Sequence, residues 1–591
     1  LIAYFAVLCV ALCVAMVLIV VSVMNGFLDK IEQAAKGLFG DIVISSNSRG
    51  GIGDYEQFIA RLKQEIPDVE AATPFINTYG LVRVPDQDYR KDVQVVGVRL
   101  PWAPGGDDDD SPMDYYTDVS TFADGLFVQK DMPHAGFDPP RELLLRRLGQ
   151  DMDRIRRISA DYPDDPTVQS AVQTAAYFHS AARHILTQQE FARREIDRLE
   201  ALRKEAIASE GTDEEVFRLK SAIVDRLEVI TGETHFPDLD VLEREFHGIT
   251  WQDEGADLTE ATDIEKLRNF LTDMIRALRT KLYREAGRRV ILGAGIPGLS
   301  TRAPGGENIR KIAPGNTIGL SLVPLGRKSV SGASITPVSA WFTVVDDAET
   351  DVSTIDQSFV YMPFDTLQEL NQMGAERTAA GELIRPKRCS QIFIKLRPGA
   401  GQGPDLARVA NEVRHLLGKF GLDDRATAET WRQRHAQVIG PIQKQRTLAV
   451  TMFGIISLVS VVLIFVIFYM MVVQKTRDIG VIKAIGGSNA GVAGIFLGYG
   501  AAIGLIGSIL GTVGGYFFVR YINEIQNVID RWFGWRVWDR DVFLFERIPN
   551  EVNPTAAGGI LLGAIVAGLL GALIPSIRAA RMQPVEALRY E

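Results

Sequence analysis

The sequence predicts an α-helical membrane protein with four transmembrane helices, arranged as one plus three, and a large α/β extracytoplasmic domain that carries a helical insertion. Two observations predict this class. Four runs contain no charged residue and are long enough to cross a bilayer as helices, which takes ~20 apolar residues. A polar stretch of domain size, 29–446, separates the first run from the other three. The runs are residues 1–28, 447–473, 491–519 and 555–577.

The first run, 1–28, has a second interpretation as a secretory signal peptide. It has no basic segment at its start, its apolar core is too long, and no small-residue cleavage site follows. We therefore interpret it as transmembrane helix 1. Because the chain begins at Leu1 inside this run, we expect further residues before it in the natural protein.

The two ends of the polar stretch have the patterns of mixed α/β structure. Residues 29–112 predict the first half of a small α/β sandwich, and residues 290–446 predict its second half together with a pre-membrane helix. Alternating apolar residues mark the strands, and apolar residues at helical spacing mark the helices. The predicted strands are 41–45, 71–84, 93–98 and 391–396, and the predicted helices are 55–66 and 406–417.

Residues 113–289 predict a mainly helical insertion between these halves. Apolar residues at three- and four-residue steps predict helices over 216–230 and 264–282. The residues 212–215 predict a capping box that opens the first of these, and an earlier helix is predicted from about His184 to a break at 209–211. Two interpretations stay open: a block that packs on itself, or an arm that contacts a partner, at residues 141–286.

The composition excludes some classes of partner. The formal net charge of −10 argues against nucleic acid. Two of the three cysteines, Cys9 and Cys13, lie in the first apolar run, and Cys389 stands alone in the polar stretch, so no disulfide framework is expected.

No motif predicts a catalytic, cofactor-binding or metal-binding residue. The stretch 293–298 matches G-x-G-x-x-G, but no helix is predicted to open at its third glycine. The acidic run 107–110 lacks the ligand spacing of a calcium loop. No phosphate-binding loop G-x-x-x-x-G-K-[ST] occurs. We expect that the chain is not an enzyme, and that any nucleotide that drives it is hydrolysed by a partner.

A short charged segment, 474–490, separates the second and third apolar runs. Residues 475–488 read K-T-R-D-I-G-V-I-K-A-I-G-G-S, which we interpret as a docking surface. Lys and Arg residues near the span ends favour a cytoplasmic location for this segment only weakly. The 520–554 loop carries almost as many Lys and Arg residues as segment 474–490 and the tail 578–591 carry together.

Glycines recur every four residues in the third apolar run. Small residues at this spacing let two helix backbones approach closely, within the chain or across a dimer. The predicted packing positions are Gly494, Gly498, Gly500, Gly504, Gly507, Gly511 and Gly515.

Three sequence features resemble the FtsX/MacB-type permeases of ABC transporters. The segment 476–488 is similar to their T-R-E-I-G-[LIV]-[LIV]-[RK]-A-[LI]-G-A-S motif. The chain's last residues resemble their terminal P-x-x-R-A-A-R-x-x-P-x-E-A-L-R-Y motif. The S-V-M-N-G-F of 22–27, with Trp431 and the basic stretch 443–446, looks most like the lipoprotein-releasing LolC/LolE branch. The terminal motif contributes Pro575, Arg578, Arg581, Pro584, Glu586 and Leu588.

The resemblance implies a role for each part of the chain. It implies a permease subunit of the bacterial inner membrane that pairs with a second permease subunit, as a homodimer or heterodimer. Segment 474–490 becomes a coupling helix seated on a cytoplasmic ABC ATPase, which binds ATP and Mg. The implied work is lipoprotein release with a periplasmic carrier, or else MacB-like efflux or FtsX-like force transmission. The implied coupling residues are Thr476, Arg477, Asp478, Ile479, Gly480, Ile482, Lys483, Ala484, Gly486, Gly487 and Ser488. Within this segment Arg477 and Lys483 offer charged contacts, and Ile479, Ile482 and Ile485 offer an apolar stripe at three-residue spacing.

Overall fold

A computed structural model gives two compact units, one formed by residues 1–36 with 431–591 and one formed by residues 37–430. We call the first the membrane unit and the second the α/β unit. The structure describes residues 2–48, 50–84, 89–101, 111–130, 132, 135–209, 212–233, 244, 246–247, 263–286, 288–304, 307–325, 337–350, 352–378, 382–401, 403–533 and 548–583.

Helix α1 (Ile2–Phe39) carries the first apolar run and continues past it. Beyond residue 28 the helix becomes polar, and Glu32 and Lys36 form an ion pair of 2.8 Å one turn apart. The predicted span 1–28 is therefore the apolar part of a longer helix. The sequence prediction ended it where the apolar run ends, although helical spacing continues through Ile31, Ala35 and Leu38, which are buried.

The α/β unit is built on a sheet whose strand order is β15-β1-β14-β3-β4-β10-β5-β9-β8 in its described part. The long strand β3 also pairs with β8. The strands β3, β4, β10, β5, β9 and β8 therefore close into a ring. Two of the pairs are parallel, β4 with β10 and β5 with β9. The strands are β1 (Ile42–Ser46), β3 (Val69–Arg83), β4 (Arg90–Val98), β5 (Arg289–Gly293), β8 (Thr317–Leu322), β9 (Val338–Ala348), β10 (Phe359–Pro363), β14 (Gln391–Leu396) and β15 (Ala426–Thr430).

Short strands and helices complete this unit. Helices α2 (Tyr55–Glu65) and α10 (Gly403–Lys419) bury one apolar face each, as the spacing predicts. The other elements are α3 (Tyr116–Val119), α8 (Ser353–Asp356), α9 (Phe364–Leu370), β2 (Ile52–Gly53), β6 (Ser300–Arg302), β7 (Asn308–Arg310), β11 (Glu376–Arg377), β12 (Leu383–Arg385) and β13 (Arg388–Cys389).

The predicted sandwich of two distant halves needs a correction. Strands from both halves do pair: Val43 on β1 lies opposite Phe393 on β14, and Phe75 on β3 lies opposite Gln391. The closed ring was not predicted, because its strands β5, β8 and β9 come from sequence without clean alternation. Residues 113–140, assigned to the insertion, instead supply Tyr116, Phe122 and other side chains to the aromatic core of this unit.

The helical block therefore begins at residue 141, with α4 (Arg141–Asp161), α5 (Pro166–Ala208), α6 (Asp213–Glu233) and α7 (Asp263–Ala286). Helix α5 begins at Pro166 rather than near His184, because Asp165 caps it by accepting from the backbone N–H of Thr167 and Val168. The backbone N–H of Thr212 donates to Glu215, which is half of the predicted capping box.

This block has a core of its own. Leu199 on α5, Ile223 on α6 and Leu271 on α7 are fully buried in one cluster. Helices α4 and α5 pack separately against the strand region, where Ile155 and Ala175 meet Ile309 on β7.

The membrane unit adds α11 (Trp431–Arg434), α12 (Ala436–Gln474), α13 (Thr476–Ala484), α14 (Asn489–Arg520), α15 (Ile522–Phe533) and α16 (Pro554–Arg581). Helices α1, α12, α14 and α16 are long and apolar enough to cross a membrane. Their core joins Val10, Phe468, Ile503 and Ala572. The predicted pre-membrane helix and span 447–473 are one continuous helix, α12. The predicted loop 520–554 contains helix α15, and the acidic run 107–110 lies outside the described residues.

Candidate functional site

Helix α13 connects the spans α12 and α14. It ends in a Schellman motif: the backbone N–H of Gly487 donates to the carbonyl of Ile482, and that of Gly486 donates to Lys483. Gly486 has φ +100°, which glycine adopts without strain. The next residue, Ser488, caps α14 by accepting from the N–H of Gly491. The sequence G-G-S thus ends one helix and starts the next within three residues.

One side of α13 is anchored to the ends of three spans. Ile479 is 2% exposed and packs with Val472 of α12, Phe496 of α14 and Ala579 of α16. The Lys483 ammonium group donates to the carbonyl of Met582 at 2.8 Å and to that of Ala580. A cation at this position compensates the free carbonyls at the end of α16.

The opposite side of α13 is exposed. Arg477, Asp478, Val481 and Ile482 face away from the bundle, and Ile485 at the end of the helix is 82% exposed. These positions recur every three or four residues, so they share one face. We call these five residues the docking face.

The sequence had predicted a different apolar stripe, with Ile479 beside Ile482 and Ile485, and both Arg477 and Lys483 as charged contacts. The structure corrects this. Ile479 and Lys483 belong to the anchored side, and Val481 takes the place of Ile479. The signal was present in the four-residue spacing of Arg477, Val481 and Ile485.

The remaining residues of the segment have local roles. The Thr476 hydroxyl donates to the carbonyl of Val473 at 2.8 Å, and Gly480 is buried. Ala484 is exposed on the last turn. Lys475 and Asp478 form an exposed ion pair of 2.9 Å, and the Asp478 carboxylate raises the pKa of Lys475.

Five of the seven predicted packing glycines lie against other helices. Gly500 and Gly504 lie against α16, where a Cβ on Gly504 would be 3.1 Å from Ile565 Cα. Three more face α1, at Val10, Val14 and Leu18. A Cβ at Gly494 or Gly498 would meet no atom within 4 Å. The five that contact α1 or α16 are Gly500, Gly504, Gly507, Gly511 and Gly515.

The terminal motif is partly visible. Pro575 is buried inside α16, and the Arg578 guanidinium lies 4.9 Å from the ring centroid of Tyr469 on α12. Arg581 is exposed at the end of the helix. Pro584, Glu586 and Leu588 lie outside the described residues.

The stretch that matches G-x-G-x-x-G lies at the end of strand β5. Residues 293–298 form a strand end followed by turns, and Asn308 donates to the carbonyl of Ala294 there. Across the described ranges, no group of three or more His, Cys, Asp or Glu side chains is arranged to hold a metal ion.

The fold and the site define a class: a multi-span membrane protein with a large α/β unit and a short helix presented between two spans. Comparison with known families makes this specific. Residues 450–584 match the FtsX-like permease C-terminal family, and residues 4–129 match the MacB-like periplasmic core domain family. These two matches confirm the resemblance to the FtsX/MacB-type ABC transporter permeases that the motifs predicted.

Curated relatives show the same resemblance to ABC transporter permeases. The lipoprotein-releasing system transmembrane protein LolC of Xylella fastidiosa is 29% identical over 161 residues, which are 27% of this chain and 39% of that protein. LolC of Neisseria meningitidis is 25% identical over 308 residues, 51% of this chain and 65% of that protein. An uncharacterized ABC transporter permease of Methanocaldococcus jannaschii is 26% identical over 199 residues, 32% and 44% of the two chains. Each match spans less than two thirds of the relative.

Proposed function

We propose that this chain is a permease subunit that couples ATP hydrolysis on a separate ABC ATPase to work on the opposite side of the membrane. The observation that carries the proposal is the two-sided helix α13. Its docking face is open to a partner, while Ile479 and Lys483 tie it to the ends of α12, α14 and α16. A displacement of the docking face would therefore be transmitted to all three spans.

The proposal includes a topology. Helix α1 crosses the membrane before the α/β unit, and α12, α14 and α16 cross after it, in the one-plus-three order. The docking face lies in the cytoplasm, and the α/β unit with its helical insertion lies in the periplasm. The bacterial inner membrane is the proposed location, because the LolC relatives are named for a lipoprotein-releasing system.

The proposed work is release of lipoproteins from the inner membrane, with a second permease subunit and a periplasmic lipoprotein carrier as partners. The LolC relatives favour this cargo. The alternative is MacB-like efflux or FtsX-like force transmission, and the MacB-like match over residues 4–129 supports it. Depletion of the chain in cells distinguishes the two, because only the first predicts lipoproteins stranded in the inner membrane.

A substitution on the docking face tests the coupling. Ile485→Asp places a charge on the most exposed apolar residue of the face, and an unpaired charge in a closed interface costs several kcal/mol. We expect the variant to lose co-purification with the ATPase. Ile384→Asp is the matched control, because Ile384 is also exposed, at 59%, but lies in the α/β unit.

The control should retain the ATPase. Retention of the ATPase by both variants, with equal ATPase activity in reconstituted complexes, would refute the docking face. Loss by both would show general misfolding, which size-exclusion chromatography of the free chain detects independently.

A further inference from the structure

Helix α15 follows the third span after a single residue, at the end opposite α13. Four of its apolar positions fall on one stripe. Tyr521, at the joint with α14, begins this stripe, and half-buried Ile525 and exposed Val528 and Trp532 follow at steps of four, three and four. Trp532 is 79% exposed and Val528 is 55% exposed. Exposed Asn527 lies on the polar face of the helix, and exposed Glu524, one turn before Val528, borders the stripe.

The helix is held to the rest of the membrane unit from its polar side. Asn523 exchanges two hydrogen bonds of 3.0 Å with the backbone of Ile548, since its amide donates to the carbonyl and its oxygen accepts from the N–H. Pro549, next in the chain, lies against α1, where a Cβ on Gly26 would be 2.6 Å from its Cβ. The apolar stripe points away from this attachment, because position 523 and the stripe lie on opposite sides of the helix.

The stripe continues the membrane-facing surface of α14. Tyr516, Phe517 and Phe518, in the last turns of that span, are all exposed. The Phe517 and Tyr521 rings are stacked, with centroids 6.5 Å apart and planes 6° apart. Aromatic residues of this kind gather where a span leaves the hydrocarbon core and enters the headgroup region. The exposed surface thus runs without a break from the end of α14 onto α15.

We propose that α15 lies in the plane of the bilayer surface, with Tyr521, Ile525, Val528 and Trp532 buried among lipids at the headgroup boundary. A helix with one apolar and one polar face binds a lipid surface in this orientation. The partner is the bilayer leaflet on the side of the membrane opposite the docking face. The helix anchors the α14 end and the start of α16 at a fixed depth, because Asn523 ties it to Ile548.

Spin labels on the two faces of α15 test this orientation. Single cysteines replace Val528 and Trp532 on the stripe, Asn527 on the polar face and Glu524 at the border between them, in a chain carrying Cys9→Ser and Cys13→Ser. Cys389 is buried and is left in place. The labelled full chain is reconstituted in nanodiscs of phosphatidylethanolamine and phosphatidylglycerol, and collision rates are measured with oxygen, which concentrates in lipid, and with a water-soluble nickel chelate.

We expect the ratio of oxygen to nickel collisions to be several-fold higher at 528 and 532 than at 527, with an intermediate ratio at 524. High nickel collision at all four sites would show a helix in water and overturn the proposal. Shielding of 528 and 532 from both reagents would also overturn it, because a protein surface, such as a second copy of the chain, would then cover the stripe. Asn527 and Val528 are adjacent, so their labels share one folding environment.

Discussion

At the scale of single residues, Lys483 decides how firmly the docking face is held. Its ammonium group joins α13 to the last carbonyls of α16, and a hydrogen bond from a charged group contributes about 1.5–3 kcal/mol. We expect Lys483→Met, which keeps the apolar stem, to loosen the joint. The backbone N–H groups of Gly486 and Gly487 should then exchange with solvent about tenfold faster for each ~1.4 kcal/mol lost.

Lys475→Met is the control for this prediction, because Lys475 makes an exposed ion pair in the same segment and such pairs contribute little. Hydrogen–deuterium exchange with mass spectrometry measures both variants. Equal exchange in the two would mean that the tether to Ala580 and Met582 does not hold α13.

A second residue-scale prediction concerns Asp346 on β9. Its carboxyl group accepts from the backbone N–H groups of Val128, Gln129 and Asp347 and from the Gln129 side chain, so it holds the segment after residue 126 to the sheet. Burial raises the pKa of Asp346 to about 7, and the neighbouring Asp347 adds to the rise. In the unfolded chain an Asp has a pKa of about 3.9.

The folded state therefore binds this proton more tightly, and the stability that it contributes is lost as pH rises from about 4 to about 7. We expect the temperature at which residues 37–430 become cleavable by protease to fall between pH 5.5 and 7.5. Asp346→Asn cannot titrate and should make this dependence shallower, with the remainder expected from Asp347, whose pKa burial raises to about 6. Asp161→Asn, at an exposed position, should leave the dependence unchanged. A dependence in Asp346→Asn as steep as in the unmodified chain would assign the titration to another group.

At the scale of elements, the glycines of α14 show what helical phase adds to spacing. Positions 500, 504, 507, 511 and 515 recur at the helical period and share one face, which α1 and α16 both cross. Gly494 and Gly498 are also four apart, but they lie on another face. The four-residue spacing predicted all seven glycines as packing positions. Their angular position around the helix axis distinguishes the five that pack against other helices.

We expect Gly504→Leu to disrupt the contact between α14 and α16, because the added side chain has no room beside Ile565. Overpacking of this kind costs about 1–3 kcal/mol. Gly498→Leu meets no neighbouring atom and should be tolerated by the single chain. The fraction of monodisperse protein after mild heating in detergent compares them, and equal fractions would contradict the packing.

The sequence predicted most elements but not how far they extend or close. Hydropathy located the four spans, and alternation located β3, β4 and β14. The predicted end of α1 at residue 28 is wrong, because the polar continuation of the helix has the composition of the domain that follows it. The ring of strands through β5, β8 and β9 could not be predicted, since its closure depends on pairing between β3 and β8. In the site, the burial of Ile479 shows that this residue lies on the anchored side of α13. Its apolar character alone fits either side of the helix.

At the scale of the whole molecule, the chain joins two units of different chemistry. The membrane unit presents the docking face on α13, and the α/β unit supplies a strand core with a helical block that has its own interior. The family matches, to residues 4–129 and 450–584, cover parts of both units. The central claim is that the docking face meets an ABC ATPase.

Photo-crosslinking in living cells tests this claim most directly. A photoreactive phenylalanine replaces Ile485 on the docking face, and in separate strains it replaces Ile479 on the anchored side or Ile384 in the α/β unit. Irradiation followed by mass spectrometry identifies what each residue touches. We predict a crosslink to an ABC ATPase from position 485 and none from 479 or 384. A crosslink from 485 to periplasmic proteins, or to ATPase only from 384, would contradict the account.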